Sequence, residues 1–276
     1  MTQTQRKVTL LAHTQLAEDF YDSFDRIGHA YLGNDFDDTG VTDGQAVALT
    51  AIRTCYSPNK PSEIVAKEGA RYFGKKATDG EGGTEADRLI RFIMRSGHTS
   101  TTEHISFTFA VEGVSRALLA QLTRHRVGFS FSVQSQRYVR FGSGDKSGGM
   151  DYVTPDSVSG EKLSGRTRLC EVDGQLVDVP MSAEAIFAEF MVEAQRAYDD
   201  LRKAGVPSED ARAVLPNAAA CNLVLTGNLR SIIEFYGKRK AGNGAQAEIA
   251  GLAEDLRAAV VKVEPWTVAF FEGGKR

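Results

Sequence analysis

Residues 113–144, GVSRALLAQLTRHRVGFSFSVQSQRYVRFGSG, hold five arginines and no acidic side chain, in a chain whose formal net charge is −3. A local excess of cations in a slightly acidic chain marks a place suited to an anion. Four of these arginines, all but Arg116, stand in two groups. Arg124, His125 and Arg126 are consecutive, and after the eight residues 127–134 come Ser135, Gln136, Arg137 and Tyr138, with Arg140 close behind. Guanidinium forks address two oxygens of a phosphate or carboxylate at once, and the apolar residues between the groups offer a wall, so the pair suits a planar, phosphorylated ligand. The plainer account of the first group is a set of cations closing a helix, where the helix dipole favours each by roughly 0.3–1 kcal/mol. The second group, arriving after a stretch that alternates as VGFSFSV, weighs against that account.

Elements must bring the two groups together. Val114, Ala117, Leu118, Gln121 and Leu122 recur at three- and four-residue spacing, which predicts a helix with Ser115 as N-cap and Arg124, His125 and Arg126 in its last turn. Gln121, Arg124 and His125 would share a face of it. Upstream, Ile105, Phe107, Phe109 and Val111 alternate with small or polar residues, the period of a half-buried strand. His98, Ser100, Glu103 and His104 lie just before that strand, in a loop. They lack HExxH or any other ligand spacing, so no metal is expected, and in a turn Glu103 and the histidines could satisfy one another.

The remaining chain is read more briefly. Residues 7–12 predict a first strand and residues 17–27 a helix; residues 34–44 begin like a calcium loop but lack its third ligand and closing Glu, and read as a solvated turn. A helix over 44–55 ends in RTCYSP. Thr84 caps a helix with Leu89, Ile90, Phe92 and Ile93 as its apolar stripe and Gly97 as its stop. Residues 142–149 are rich in Gly and Ser without the spacing of a dinucleotide fingerprint, and residues 172–179 predict a small hairpin at Asp173-Gly174. Helix 182–203 carries Phe187, Phe190, Met191, Ala194, Tyr198 and Leu201 as a buried stripe. Ser208 caps a short helix containing Arg212, which could simply pair with a neighbouring acid. Residues 222–238 read as a strand entering a helix, with Asn228 and Arg230 at the entrance, where free N–H groups favour anions. Lys238, Arg239 and Lys240 follow, and a last helix spans 245–263.

RHR, eight residues, Ser135 and then Arg137-Tyr138 resemble the signature of flavin-dependent thymidylate synthases. Further agreement comes from Arg-x-Cys-Tyr at residue 53, His-x-Ser-x-x-Glu-His at residue 98, and GVPSEDARAVLP at residue 205. The resemblance implies an α+β fold with an antiparallel or mixed sheet and flanking helices, one domain over 1–276 with an insertion around 142–180, and a homotetramer with active sites between subunits. It implies reductive methylation of dUMP to dTMP, with methylenetetrahydrofolate as carbon donor and FAD reduced by NADPH as hydride carrier. His98, Ser100, Arg124, His125, Arg126, Asn228, Arg230 and Glu234 would then hold FAD. Gln121, Arg124, Ser135, Gln136, Arg137 and Arg212 would hold the nucleotide. Arg239 would lie beside the pyrimidine and favour ionisation of its N3; counting back from the Ala245-Gln246 segment puts Lys240 in that register, but a bidentate fork suits an imide better than an ammonium. The gap of eight, Leu122-Thr123 before RHR and Ala247 in place of an aromatic depart from the common pattern. They leave room for a related reaction on dUMP, such as hydroxymethylation.

Composition agrees with an enzyme of this kind. The 276 residues are 42% hydrophobic and 25% charged, ample for a buried core. The near-neutral balance argues against general nucleic-acid binding, although a non-catalytic nucleotide or single-strand binder using the arginines with Phe129, Phe131 and Tyr138 is the alternative of another class. No apolar run is long enough to cross a membrane, the first residues lack a secretory signal, and three scattered cysteines fit a reducing compartment, so a cytoplasmic protein is expected.

Overall fold

The alternation read at residues 105–111 becomes the centre of a sheet. In the computed structural model, which describes residues 1–21, 41–160 and 162–272, strand β2 (Ser106–Ser115) lies between β1 (Lys7–His13) and β6 (Ala220–Asn228), and β3 (Phe129–Val133) closes the far edge. All pairings in this sheet are antiparallel. Phe107, Phe109 and Val111 on β2 and Leu225 on β6 are fully buried on one face, each contributing roughly 1.5–3 kcal/mol. Gly227 stands opposite Phe129; a Cβ there would come within 2.7 Å of the Phe129 ring, so β3 can close on β6 only because the position is bare.

Helices cover the buried face. They are α1 (Asp43–Thr54), α2 (Ile64–Phe73), α3 (Glu85–Arg95), α4 (Arg116–Leu122), α5 (Ala183–Lys203), α6 (Ser208–Ala211), α7 (Leu229–Arg239), α8 (Ala247–Val263) and α9 (Val268–Glu272). Leu229, Ile232 and Phe235 of α7 and Ile249, Leu252, Leu256 and Val260 of α8 join Ile52, Ile90 and Ile93 and the sheet in one core. A second cluster joins α1, α2 and α3, and a third packs Met191, Ala194 and Tyr198 of α5 against Phe141 and Met150. Strands β4 (Leu163–Val172) and β5 (Gln175–Ser182) form a separate hairpin. Its turn, Asp173-Gly174, has φ of 52° and 76°, the positive pair that an I′ turn requires. The result is the expected α+β class, and no helix among the described residues is long and apolar enough to cross a membrane.

Several expectations change. Helix α4 begins at the predicted cap, the Ser115 hydroxyl accepting from Leu118 N, but ends at Leu122 with Thr123 as C-cap. Arg124, His125 and Arg126 therefore lie beyond the helix, and no shared helical face with Gln121 exists. Residues Thr99–His104 form a 3-10 turn where a loop was expected. Phe92 and Phe190, placed in buried stripes by their spacing, are 61% and 56% exposed. The short helix α6 is capped by Pro207, because the Ser208 hydroxyl donates instead to the Arg137 carbonyl at 3.1 Å. The helix expected over 17–27 and the turn over 34–44 lie largely outside the described residues.

A buried acid ties the chain's end to its first long helix. Glu264, 1% exposed, accepts from Gly44 N at 3.1 Å, from the Thr42 hydroxyl and from Trp266 Nε1, at the N-terminus of α1 where a negative charge is favoured. Burial pushes its carboxyl above the usual range, and the three donors hold it down. Glu264→Ala strands those donors at roughly 1 kcal/mol each, so a loss of about 3 kcal/mol is expected, read as a lower urea midpoint at unchanged slope. A midpoint within error of the parent would remove this clamp from the account.

Candidate active site

The arginine loop is bound along α7. At one end Asn228 caps that helix, its side chain accepting from Ser231 N at 2.9 Å, and Asn228 N donates to Gly128 O at 3.1 Å. The Ser231 hydroxyl donates to Val127 O at 3.0 Å. Gly128 has a φ of 71°, and a Cβ on it would fall 2.0 Å from Ser231 Oγ, so only glycine lets the loop come this close. At the other end of α7, Arg239 Nε donates to His125 Nε2 at 3.0 Å, while the His125 ring stands edge-on to Phe235 with centroids 4.9 Å apart. Burial, then the charges of Arg239, Lys238 and Arg124, hold the His125 imidazole below its usual pKa. Of the ion pairs among the described residues, none involves Arg124, Arg126, Lys238 or Arg239. Lys240 lies over the Tyr236 ring, 5.9 Å from its centroid.

The second arginine group gathers around α6. Arg137 Nε meets Glu209 at 2.5 Å, its guanidinium lies over the Tyr138 ring, and its backbone N–H donates to the Ser135 hydroxyl at 3.1 Å. Gln136 is buried. Arg212 Nε donates to the backbone carbonyl of Glu209 at 2.9 Å and stands beside Arg137 through that shared residue; among the described residues Arg212 forms no ion pair. Gln121 donates to Gln246 at 2.5 Å, reaching the start of α8.

A third group surrounds the Thr99–His104 turn. His98 Nδ1 and the Tyr56 hydroxyl share a hydrogen bond of 3.1 Å. Glu103 does not satisfy the neighbouring histidines; it meets Arg230 at 2.5 Å, and Arg230 also holds Glu234 at 3.0 Å. Arg230 and Glu234 thus come together with the turn that carries His98 and Ser100, and Leu229 N donates to Ile105 O at 2.8 Å to hold turn and helix in place. Sequence reasoning missed Tyr56, Glu209 and Gln246 as partners; Tyr56 was available in the RTCYSP segment, whereas nothing local marks Gln246. Among the described residues no three His, Cys, Asp or Glu side chains come together to hold a metal. A cavity of about 640 Å³ lies elsewhere, between Gln3–Arg6, Val153–Ser157 and Gln246–Gly251, and touches these groups only through Gln246. Arg124, Arg126 and Arg137 are exposed, whereas Arg212, Arg230 and Arg239 are half-buried.

Residues 39–266 match the family described as thymidylate synthase complementing protein. The chain is 36% identical over 223 residues to the flavin-dependent thymidylate synthase of Geobacter sulfurreducens, spanning 81% of this chain and 80% of that one. It is 40% identical over 189 residues to that of Halobacterium salinarum, spanning 67% and 74%. Among solved structures, the UMP/dUMP methylase PolB of Streptomyces cacaoi, bound with 5-Br dUMP, superposes with a TM-score of 0.61 over 99% of both chains at 20% identity, a likeness of fold.

Glu209 sits where an anionic ligand of Arg137 would compete with it. An exposed pair of this kind is worth up to about 1 kcal/mol, so Glu209→Gln should tighten binding of a phosphate monoester by about two- to fivefold in low-salt calorimetry. Weaker binding in that variant would mean that the carboxylate organises Arg137 for its ligand and does not compete for it.

Proposed function

The chain belongs to the family of flavin-dependent thymidylate synthases, and we propose that it converts dUMP to dTMP with methylenetetrahydrofolate as carbon donor and NADPH as the source of reducing equivalents. The observation that carries this reading is the set Arg124, Arg126, Lys238 and Arg239, on the loop 123–128 and the last turn of α7, none of which forms an ion pair among the described residues. Such a set fits FAD and a nucleotide, both anionic and both carrying a flat ring system. Arg124, His125, Arg126, Asn228 and Arg230, with His98, Ser100 and Glu234 at the turn, would hold FAD, which supplies hydride to the transferred carbon when reduced. Asn228 still has its carboxamide N–H groups to donate, since its oxygen serves as the helix cap.

The nucleotide side follows from the second group. Arg124, Ser135, Gln136 and Arg137 hold phosphate and sugar, with Gln121 and Arg212 assisting. Arg239 stabilises negative charge on the uracil ring, lowering the barrier to attack by its C5 on the incoming carbon; preorganised charge of this kind is worth several kcal/mol in a site closed to water. Lys240, drawn over Tyr236, is turned to another partner. A protein thiolate is not needed, and Cys221 is ill suited to the task, being buried with its thiol pushed up to about 11. The further expectations belong to the same proposal: one domain with residues 142–180 as an insertion, a homotetramer whose sites combine residues of different subunits, and a cytoplasmic setting supported by three unpaired cysteines.

Purified protein should carry flavin absorbance in the visible, gained on adding FAD if lost, and should release tritium from 5-labelled dUMP when folate and NADPH are present. Mass spectrometry of the product tells a methyl from a hydroxymethyl group. Arg239→Ala should lower kcat by about a hundredfold, the cost of removing one charge-stabilising donor, while Lys240→Ala stays within about threefold of the parent. The opposite pattern would assign the uracil to Lys240.

A further inference from the structure

We infer that His125, grouped by family resemblance with the flavin contacts, is a positioning residue for Arg239: its Nε2 takes the Nε–H of Arg239 at 3.0 Å and sets the plane in which the guanidinium meets the uracil ring. This rests on the assignment of Arg239 to the uracil and adds how that side chain is aimed. An arginine side chain stays protonated and can only donate, so His125 Nε2 presents its lone pair and the ring proton sits on Nδ1. The contact itself dictates the tautomer.

The imidazole is fixed in orientation. It stands at 86° to the ring of Phe235, and Phe235 lies one helical turn before Arg239 on the same face of α7, so the ring is wedged between two side chains of one helix. Its own backbone N–H is tied to Leu122 O at 3.0 Å. Arg137 and Arg230 are each oriented by carboxylates, whereas Arg239 is in no ion pair among the described residues. That difference has a chemical meaning. A carboxylate would orient the guanidinium but cancel most of the charge it brings to a ligand, while a neutral imidazole orients it and leaves the charge intact. Burial and the nearby Arg239, Lys238 and Arg124 depress the imidazole's pKa, which keeps the acceptor lone pair free at neutral pH. With Nε committed to His125, the two terminal nitrogens are left side by side, the arrangement that can face an imide nitrogen and its adjacent carbonyl oxygen.

The test is a double-mutant cycle read by calorimetric binding to the full chain loaded with FAD, with no folate or NADPH, so that turnover plays no part. The probes are dUMP and 2-deoxyribose 5-phosphate, which lacks the base. His125→Phe should weaken dUMP binding about tenfold and leave the sugar phosphate unchanged, while His125→Gln, whose Oε1 can stand in for Nε2, recovers most of the loss. The double variant His125→Phe/Arg239→Ala should bind dUMP no worse than Arg239→Ala alone. Unchanged dUMP binding in His125→Phe, additive losses in the double variant, a Gln variant as weak as the Phe variant, or an equal loss for the sugar phosphate each overturn the inference while leaving Arg239 on the uracil. If Arg239→Ala itself binds dUMP as the parent does, the uracil assignment falls, and this inference with it.

Discussion

The site depends on one contact between backbone segments: the stretch from Thr123 to Gly128 laid along helix α7. Two hydrogen bonds at Val127 and Gly128 fasten one end to the helix start, and the imidazole of His125 meets the helix end at Arg239. Along that line several cations are brought near one another, and nothing in their mutual electrostatics favours it. Two unit charges 4 Å apart repel by about 1 kcal/mol in bulk water and by more where the medium is drier. The packing of α7 on the sheet, with Leu229, Ile232 and Phe235 buried, supplies the stabilisation that keeps the loop there.

The chain treats its cations unequally. Among the described residues Arg230 is held by two carboxylates, Arg137 by one and Arg239 by none, an imidazole taking the place of the acid. The charge left over for a ligand therefore rises from Arg230 to Arg239. An enzyme that must stabilise charge developing on a ring needs that order, since a guanidinium already neutralised by its own chain has little left to offer at the transition state. Arg230, so heavily paired, also braces the Thr99–His104 turn against α7.

Most local rules that the sequence states hold in the structure, the cap expected at Ser208 being an exception. The strict alternation at 105–111, the caps at Ser115 and Thr84, and the Asp-Gly turn of the hairpin are each decided within a few residues. The end of α4 was misread because the three-and-four spacing runs on through Gln121 and Arg124 although Thr123 already caps the helix. Phe92 and Phe190 fit their stripes by period alone, and a period does not say whether anything covers the stripe. The partners of the site residues were beyond reach for a different reason: 72 positions separate Arg137 from Glu209, 127 separate Glu103 from Arg230 and 114 separate His125 from Arg239. Family resemblance supplied the residues proposed to meet the ligands, and the structure shows what holds them.

The cavity of about 640 Å³ lies away from Arg124, Arg126 and Arg137, which stand exposed, as do Val127 and Tyr138 at 89% and 77%. Arg239 is only half-buried within one copy of the chain, and a charge still reached by water contributes about 1 kcal/mol, less than the several kcal/mol that the proposed role asks. The charge gains its effect only when a second wall excludes water. Exposed apolar side chains next to unpaired cations are the surface such a wall would cover, and they give a physical reason for the proposed assembly in which another copy of the chain completes each site. Electrostatics in one subunit and burial supplied by its neighbour then become two halves of one catalytic device.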